Sequence, residues 1–420
     1  MAAPEITTLP GGVRVVSERL PGVRSVALGY WIGVGSRHER PERAGVSHFI
    51  EHLLFKGSSR YGALELAELF DAMGGELNAA TSRDSTVLYT RVPDSHVARA
   101  LDAMSDMVVS PVFADIDSER DVVIEEIAMV DDTPQDLVHD LAATAVFGDH
   151  PLGRPVIGTA EVIASVTPRA LRTFHAGAYA GANVVLAAAG NIRHDVLVDL
   201  VAKWLPKQSS PSRVVEPGFR GAVEPRQAFL PRPTEQYHIV LSGLGLPRGD
   251  DRRFALSVLD AILGGAASSR LFQEIREKRG MAYSVYSYTA QYAETGQVAV
   301  AFGTREENLV ECVEIVEREL AALGRGELRP GELERARESL HGRLLLAQES
   351  TSNRMTRLGK SLLSGLDLMT LAETTRRIDA VDVEHVAALA RDLYAPSRLS
   401  AAGIGPKRRA FDRAIGRLVQ

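Results

Sequence analysis

Two stretches of this chain run in parallel 215 residues apart (378 − 163): Ile163-Ala-Ser-Val-Thr-Pro168 and Ile378-Asp-Ala-Val-Asp-Val383. At the same offset Val166 pairs with Val381, Tyr179 with Tyr394, Val184 with Leu399 and Gly190 with Gly405, with no gap. In each stretch a helical pattern runs into a tyrosine, a turn and a short apolar strand that ends at glycine. A chain of 420 residues is too long for one ordinary core. A period this long also excludes a solenoid. The expectation is two copies of one α+β domain.

From Pro206 to Pro233 six prolines (206, 211, 217, 225, 231 and 233) stand among Ser209, Ser210 and Ser212. Fixed φ angles and missing N–H donors disfavour helix and central strand there. The expected organisation is a first domain over 1–205, a proline-rich linker over 206–234 and a second domain over 235–420. Ser25–Trp31 and Val87–Val92 are rich in Val, Tyr and Leu and predict strands, the second led in by 78–83. Ala63–Met73 and Val97–Ser105 predict helices, the former stopped by Gly74-Gly75. Helices cluster between strands without strict alternation. That favours an α+β fold, each domain a mainly antiparallel sheet layered with helices, over a doubly wound sheet.

Composition removes several function classes. Net charge is −6 and no Lys/Arg block with interleaved aromatics occurs, so nucleic acid is not an expected partner. No apolar run approaches the length of a membrane span, so no membrane partner is expected either. Residues 1–21 lack a basic region followed by an apolar one, so no signal peptide is visible and the expected compartment is the cytoplasm. The single cysteine, Cys312, excludes an intrachain disulfide and a cysteine-rich metal site.

The segment Ser47-His-Phe-Ile-Glu-His-Leu-Leu-Phe55 carries chemistry. On a helix, with Val46 at zero, Phe49, Ile50, Leu53 and Leu54 fall between about −60° and +80°, while His48, Glu51 and His52 fall at about 200°, 140° and 240°. The polar trio therefore lies opposite the apolar stripe. Two histidines one turn apart can converge on one cation, and His-x-x-Glu-His is the inverted zincin order. Phe55, at about 180°, shares the polar face and is expected to contact substrate. Catalytic zinc usually takes three protein ligands. The third is sought in Ser118–Ile127, where Val123, Ile124, Ile127 and Val130 make an apolar stripe. Glu119 and Glu126, seven apart, share one face of that helix, and Glu125 points about 100° away. Periodicity does not choose between these glutamates.

His48–His52 and Ser118–Ile127, followed by Pro151-Leu-Gly-Arg-Pro-Val-Ile-Gly158, resemble the insulinase (pitrilysin-type) zinc metallopeptidases, inverzincins, and among them the processing peptidases. The resemblance runs from Leu9-Pro-Gly-Gly-Val-Arg-Val-Val16 into the second half. It implies that one Zn2+ per chain is held by His48, His52 and Glu126. It further implies that Glu119 supports the site and that Glu51 is the general base. That role fits the chemistry, since a carboxylate not bound to zinc must take the water proton and pass it to the leaving amine. The implied activity is endopeptidase cleavage of extended peptides or unfolded presequences.

The same resemblance suggests how substrate is placed. Gly75–Arg83 is similar to the family's edge strand, where a peptide adds as a β-strand at positions matching Asn78 and Ala79. Asp136 and Asp140 match acidic residues that read an arginine near the cleaved bond; by position alone, Thr133, Pro134 and Asp136 also suit a helix start. In the second half Arg276 and Tyr283, seven apart, match a pair that holds the substrate backbone. That half lacks His-x-x-Glu-His, so it is expected to position substrate and bind no zinc. A homodimer is expected, or a heterodimer with a related chain, in which Arg276 and Tyr283 serve the zinc site of the partner. The alternative is a non-catalytic scaffold or regulatory subunit, but such relatives usually lack part of the zinc set.

Overall fold

The computed structural model describes residues 3–204, 214, 218–219 and 224–416. The chain forms two compact units that interleave in sequence. The first is Met1–Ala128, Arg154–Pro217 and Leu345–Leu368; the second is Met129–Gly153, Gly218–Leu344 and Met369–Gln420.

The first unit holds a six-stranded sheet of β1 (Glu5–Thr8), β2 (Arg14–Arg19), β3 (Ser25–Ile32), β4 (Glu76–Thr81), β5 (Thr86–Pro93) and β6 (Val184–Gly190), in the order β1-β2-β6-β3-β5-β4. Only β2 and β6 run parallel; the other pairs are antiparallel. The second unit holds β7 (Gln227–Pro231), β8 (Tyr237–Gly245), β9 (Ala282–Gln291), β10 (Gly296–Thr304) and β11 (Ser400–Gly405), in the order β7-β11-β8-β10-β9. Here β7 and β11 are the parallel pair. With β1 set aside, the two sheets share one strand order and one pattern of directions. The helices Pro168–Ala178 and Val383–Leu393 that precede β6 and β11 lie 215 residues apart (383 − 168). The α+β fold with two sheet domains is thus as expected, and the internal repeat extends to topology.

Two helices depart from a simple cut at the linker. Helix Pro134–Phe147 belongs to the second unit and packs on β8 and β11, whereas helix Thr351–Leu363 belongs to the first and packs on β3 and β6. Both sheets are thereby covered on a second face. Along β3, Leu28, Tyr30 and Ile32 join one core with Phe49, Ile50 and Leu53; Ala27 and Trp31 join another with Met355 and Leu358. A strand buried on both faces reads as a continuous apolar run, as Ser25–Ile32 does. A fully buried Leu, Ile or Phe contributes about 1.5–3 kcal/mol. The expected linker over 206–234 is also too long. Gln227–Pro231 forms β7 on the sheet edge, where a proline at the strand end costs no ladder bond. Pro206, Pro211 and Pro217 lie outside the described residues.

Helix Thr351–Leu363 is fastened by charge as well as by packing. Arg354 pairs with the buried Glu18 of β2, and Arg357 Nη2 reaches the other oxygen of Glu18 at 3.0 Å. Arg354→Met removes the buried partner and leaves Glu18 to the more exposed Arg357. It is therefore expected to destabilise the protein by about 1.5–3 kcal/mol, the worth of a hydrogen bond to a charged group. Denaturant midpoints check this; equal midpoints for wild type and Arg354→Met would refute it.

Candidate metal centre

Helix Val46–Leu54 is pinned before it presents any chemistry. Its stripe of Phe49, Ile50, Leu53 and Leu54 is fully buried. Its N-cap, Gly45, adopts φ 94°, and a Cβ there would meet the Ile157 carbonyl oxygen at 2.5 Å. Gly158, at φ 78°, packs against the same turn and leaves no room for a Cβ beside the Ala44 carbonyl oxygen. The glycine that closes Pro151–Gly158 therefore seats the start of this helix. The Glu39 carboxylate accepts the Gly45 N–H at 2.7 Å and the Ser47 N–H at 2.6 Å, satisfying free donors of the first turn. Burial pushes Glu39 up to about 7, against the pull of those two N–H groups.

Fixed in this way, the helix directs His48 and His52 to one place, with ring centroids 4.6 Å apart. Helix Ile116–Asp131 brings in Glu126, whose Oε2 lies 3.6 Å from His48 Nε2 and 3.3 Å from His52 Nε2. One ligand atom from each of the three residues lies within 4.8 Å of the others. Burial pulls the His48 imidazole down to about 4, which keeps it neutral with a lone pair to give. Its Nδ1 is buried and has no hydrogen-bond partner among the described residues. Two imidazole nitrogens and one carboxylate oxygen form a donor set that suits zinc and leaves a fourth position open.

Glu119 does not join this set. Its Oε1 lies 3.0 Å from His52 Nδ1 and its Oε2 2.5 Å from Lys56 Nζ. A carboxylate on the far nitrogen of a ligating imidazole fixes its tautomer and orientation. Glu126 thus lies within reach of both histidines, and Glu119 meets only the back of one. Glu51 leaves the helix on the same side but is not among the converging donors, and Thr81 Oγ1 donates to its Oε2 at 2.5 Å. Burial raises the Glu51 pKa, only partly offset by the Thr81 hydroxyl.

Phe55, on the polar face where substrate contact is expected, follows the helix as its C-cap and is half-buried against the core. With Leu66, Phe70, Leu77, Asn78 and Tyr89 it lines a groove of about 750 Å³. Asn78 and Ala79 lie on β4, at the sheet edge. The Ala79 N–H donates to Asn78 Oδ1 at 2.8 Å.

The remaining expected residues lie in the second unit. Arg276 lies in the last turn of a π-helical stretch, Phe272–Glu277, and its guanidinium stacks 4.6 Å from the Phe272 ring centroid and 4.7 Å from that of Tyr283. Tyr283 is 81% exposed. Asp136 and Asp140 stand on one helix either side of His139, whose two ring nitrogens meet the Tyr286 and Tyr288 hydroxyls at 2.9 and 3.0 Å. Thr133 occupies the N-cap of that helix, but its hydroxyl donates back to the Met129 carbonyl.

Lys56, Thr81 and His139 escaped the sequence reading. Lys56 lies four residues beyond His52 and carried a signal of sorts, a cation one turn from a metal-helix histidine. The other two meet their partners only across the fold.

Comparison with known proteins decides the lineage. Residues 14–160 match the family profile described as Insulinase (Peptidase family M16), and residues 165–340 match Peptidase M16 inactive domain. The chain belongs to the insulinase (M16) peptidase family. It is 44% identical over 411 residues to a Mycobacterium tuberculosis protein named an uncharacterized zinc protease, covering 96% of this chain and 93% of that one. A Bacillus subtilis protein named uncharacterized zinc protease YmxG is 42% identical over 392 residues, covering 92% and 95%. Among solved structures, a protease from Helicobacter pylori superposes with TM-score 0.90 at 22% identity, covering 96% of this chain and all of that one. A Pseudomonas fluorescens structure described as a peptidase M16 inactive domain gives 0.89 at 23%, covering 97% and 99%. At these identities the two structures speak for the fold alone. Among the described residues of this chain, no helix is long and apolar enough to cross a membrane.

The Lys56–Glu119–His52 chain predicts that Lys56→Met weakens zinc binding about 10–100-fold while leaving all three donor side chains in place. Competition against a zinc chelator measures this. An unchanged dissociation constant would mean that Lys56 serves only the surface.

Proposed function

We propose that this member of the M16 family is a zinc metalloendopeptidase that cleaves extended peptides or unfolded presequences. The reading is carried by one observation: His48, His52 and Glu126 converge within 4.8 Å, while a further carboxylate, Glu51, stands beside them uncommitted to the set. His48, His52 and Glu126 would hold one zinc per chain. When bound, zinc supplies Lewis-acid polarisation of a peptide carbonyl and lowers the pKa of a water. Glu51 takes the proton of the attacking water and delivers it to the departing amine. Glu119, itself paired with Lys56, orients His52.

In this reading a peptide lies along β4 as an added strand at Asn78 and Ala79, with Phe55 at the wall of its groove. The ladder turns the backbone groups of Ala79 to the open edge and those of Asn78 inward to β5, so that Ala79 offers main-chain contact and Asn78 its side chain. Arg276 and Tyr283 bind the substrate backbone, and Asp136 and Asp140 favour an arginine near the cleaved bond. The second unit binds no zinc and positions substrate. The protein works in the cytoplasm, as a homodimer in which each chain's Arg276/Tyr283 pair serves its partner's zinc.

Glu51→Gln is expected to retain zinc and to lose hydrolysis of a peptide library by about 10²–10⁴-fold, because the shuttle is removed and no ligand is. His52→Ala is expected to lose the metal as well. Elemental analysis with a peptide-cleavage assay separates the two, and near-normal turnover by Glu51→Gln would end the mechanism.

The homodimer is tested by mixing two inactive proteins, Glu51→Gln and Arg276→Ala/Tyr283→Phe, under conditions of subunit exchange. With free exchange half the dimers are mixed, each with one sound site of two, so about a quarter of wild-type activity returns. Exchange seen by mass with no recovery would place the pair in cis or with a different chain.

A further inference from the structure

The Glu51 carboxylate is held from the sheet edge. Thr81 Oγ1 donates to Glu51 Oε2 at 2.5 Å. A second hydroxyl, that of the buried Thr86, lies 3.3 Å from Thr81 Oγ1 but donates its proton to the Val34 carbonyl at 3.1 Å. Each hydroxyl has one proton. That of Thr81 is committed to Glu51, and Thr86 takes no proton away from the base.

Thr81 is also the last residue of β4, the outermost strand. Ser82 N–H donates to the Ser85 carbonyl to close the hairpin, and Thr81 faces Thr86, Ala79 faces Leu88 and Leu77 faces Thr90. In an antiparallel ladder, positions alternate between bonding inward and facing out. Residues 77, 79 and 81 therefore turn their backbone groups to the open edge. The Ala79 N–H agrees, since it is covered by its own neighbour's side chain, Asn78 Oδ1, and not by β5. Of these three outward residues, Thr81 is the one whose hydroxyl reaches a side chain of the metal helix.

We propose that Thr81 is the positioning residue of Glu51: its hydroxyl, on the outermost strand of the sheet, fixes the direction of the carboxylate from the same edge along which the peptide would lie. The proposal rests on the reading of Glu51 as general base.

The test uses the full-length zinc-loaded protein. Thr81→Val keeps the shape and removes the hydroxyl, and Thr81→Ser returns it. Thr81→Val should lower kcat about 10–100-fold, as a base misplaced by about 1 Å would. KM, zinc content and melting temperature should stay near wild type, and Thr81→Ser should recover most of kcat. A crystal structure of Thr81→Val should show the Glu51 carboxylate turned from its wild-type direction. Undiminished kcat or an unmoved carboxylate in Thr81→Val overturns the proposal. Loss of zinc, or unfolding of both Thr81→Val and the smaller Thr81→Ala, does so too, since Thr81 would then be a structural residue. Glu51→Gln, assayed alongside, keeps the failures apart: if it is active, the base reading falls, and if it is dead while Thr81→Val is normal, only the role of Thr81 falls.

Discussion

Burial of Phe49, Ile50, Leu53 and Leu54 against the first sheet is the constraint on which the site depends. Those four side chains decide which way the helix faces, and the facing decides where His48, Glu51 and His52 go. Glu39 fixes where the helix begins, through the N–H groups of Gly45 and Ser47. Rotation by one residue, about 100°, would bury a histidine and expose an isoleucine. The donors are thus placed by apolar packing.

A second layer of charge refines that placement. Lys56 neutralises Glu119, Glu119 holds His52 from behind, and Glu126 approaches both imidazoles from a separate helix. Thr81 does for Glu51 what Glu119 does for His52. His52 and Glu51 each have a supporting partner, and the partners come from different elements, so the arrangement exists only once the first unit has folded.

Much of this was legible before folding because it is periodic. The metal helix follows from a 3.6-residue pattern, β3 from an apolar run, and the duplication from an offset that also aligns the strand orders of the two sheets. What stayed hidden depends on which surfaces meet. An amphipathic pattern says that Thr351–Leu363 has a buried face, but not that Trp31 and Val185 cover it. The prolines around Pro231 read as linker because a sequence does not show that β7 is an edge strand, where proline is tolerated. Spacing put Glu119 and Glu126 on one face. It could not choose between them, because the answer lies in distances to another helix. Thr81 and Lys56 are ordinary residues in ordinary surroundings until the sheet and the helix are brought together.

The central claim is that two imidazoles and one carboxylate of the first unit hold a single zinc. X-ray absorption at the zinc edge on the purified, zinc-replete protein tests it most directly. The account predicts one zinc per chain with only nitrogen and oxygen neighbours at about 2.0–2.2 Å, two of them imidazoles, and a changed first shell in Glu126→Gln. Zinc that does not remain bound, a shell with one imidazole or none, or a spectrum indifferent to Glu126→Gln would contradict it.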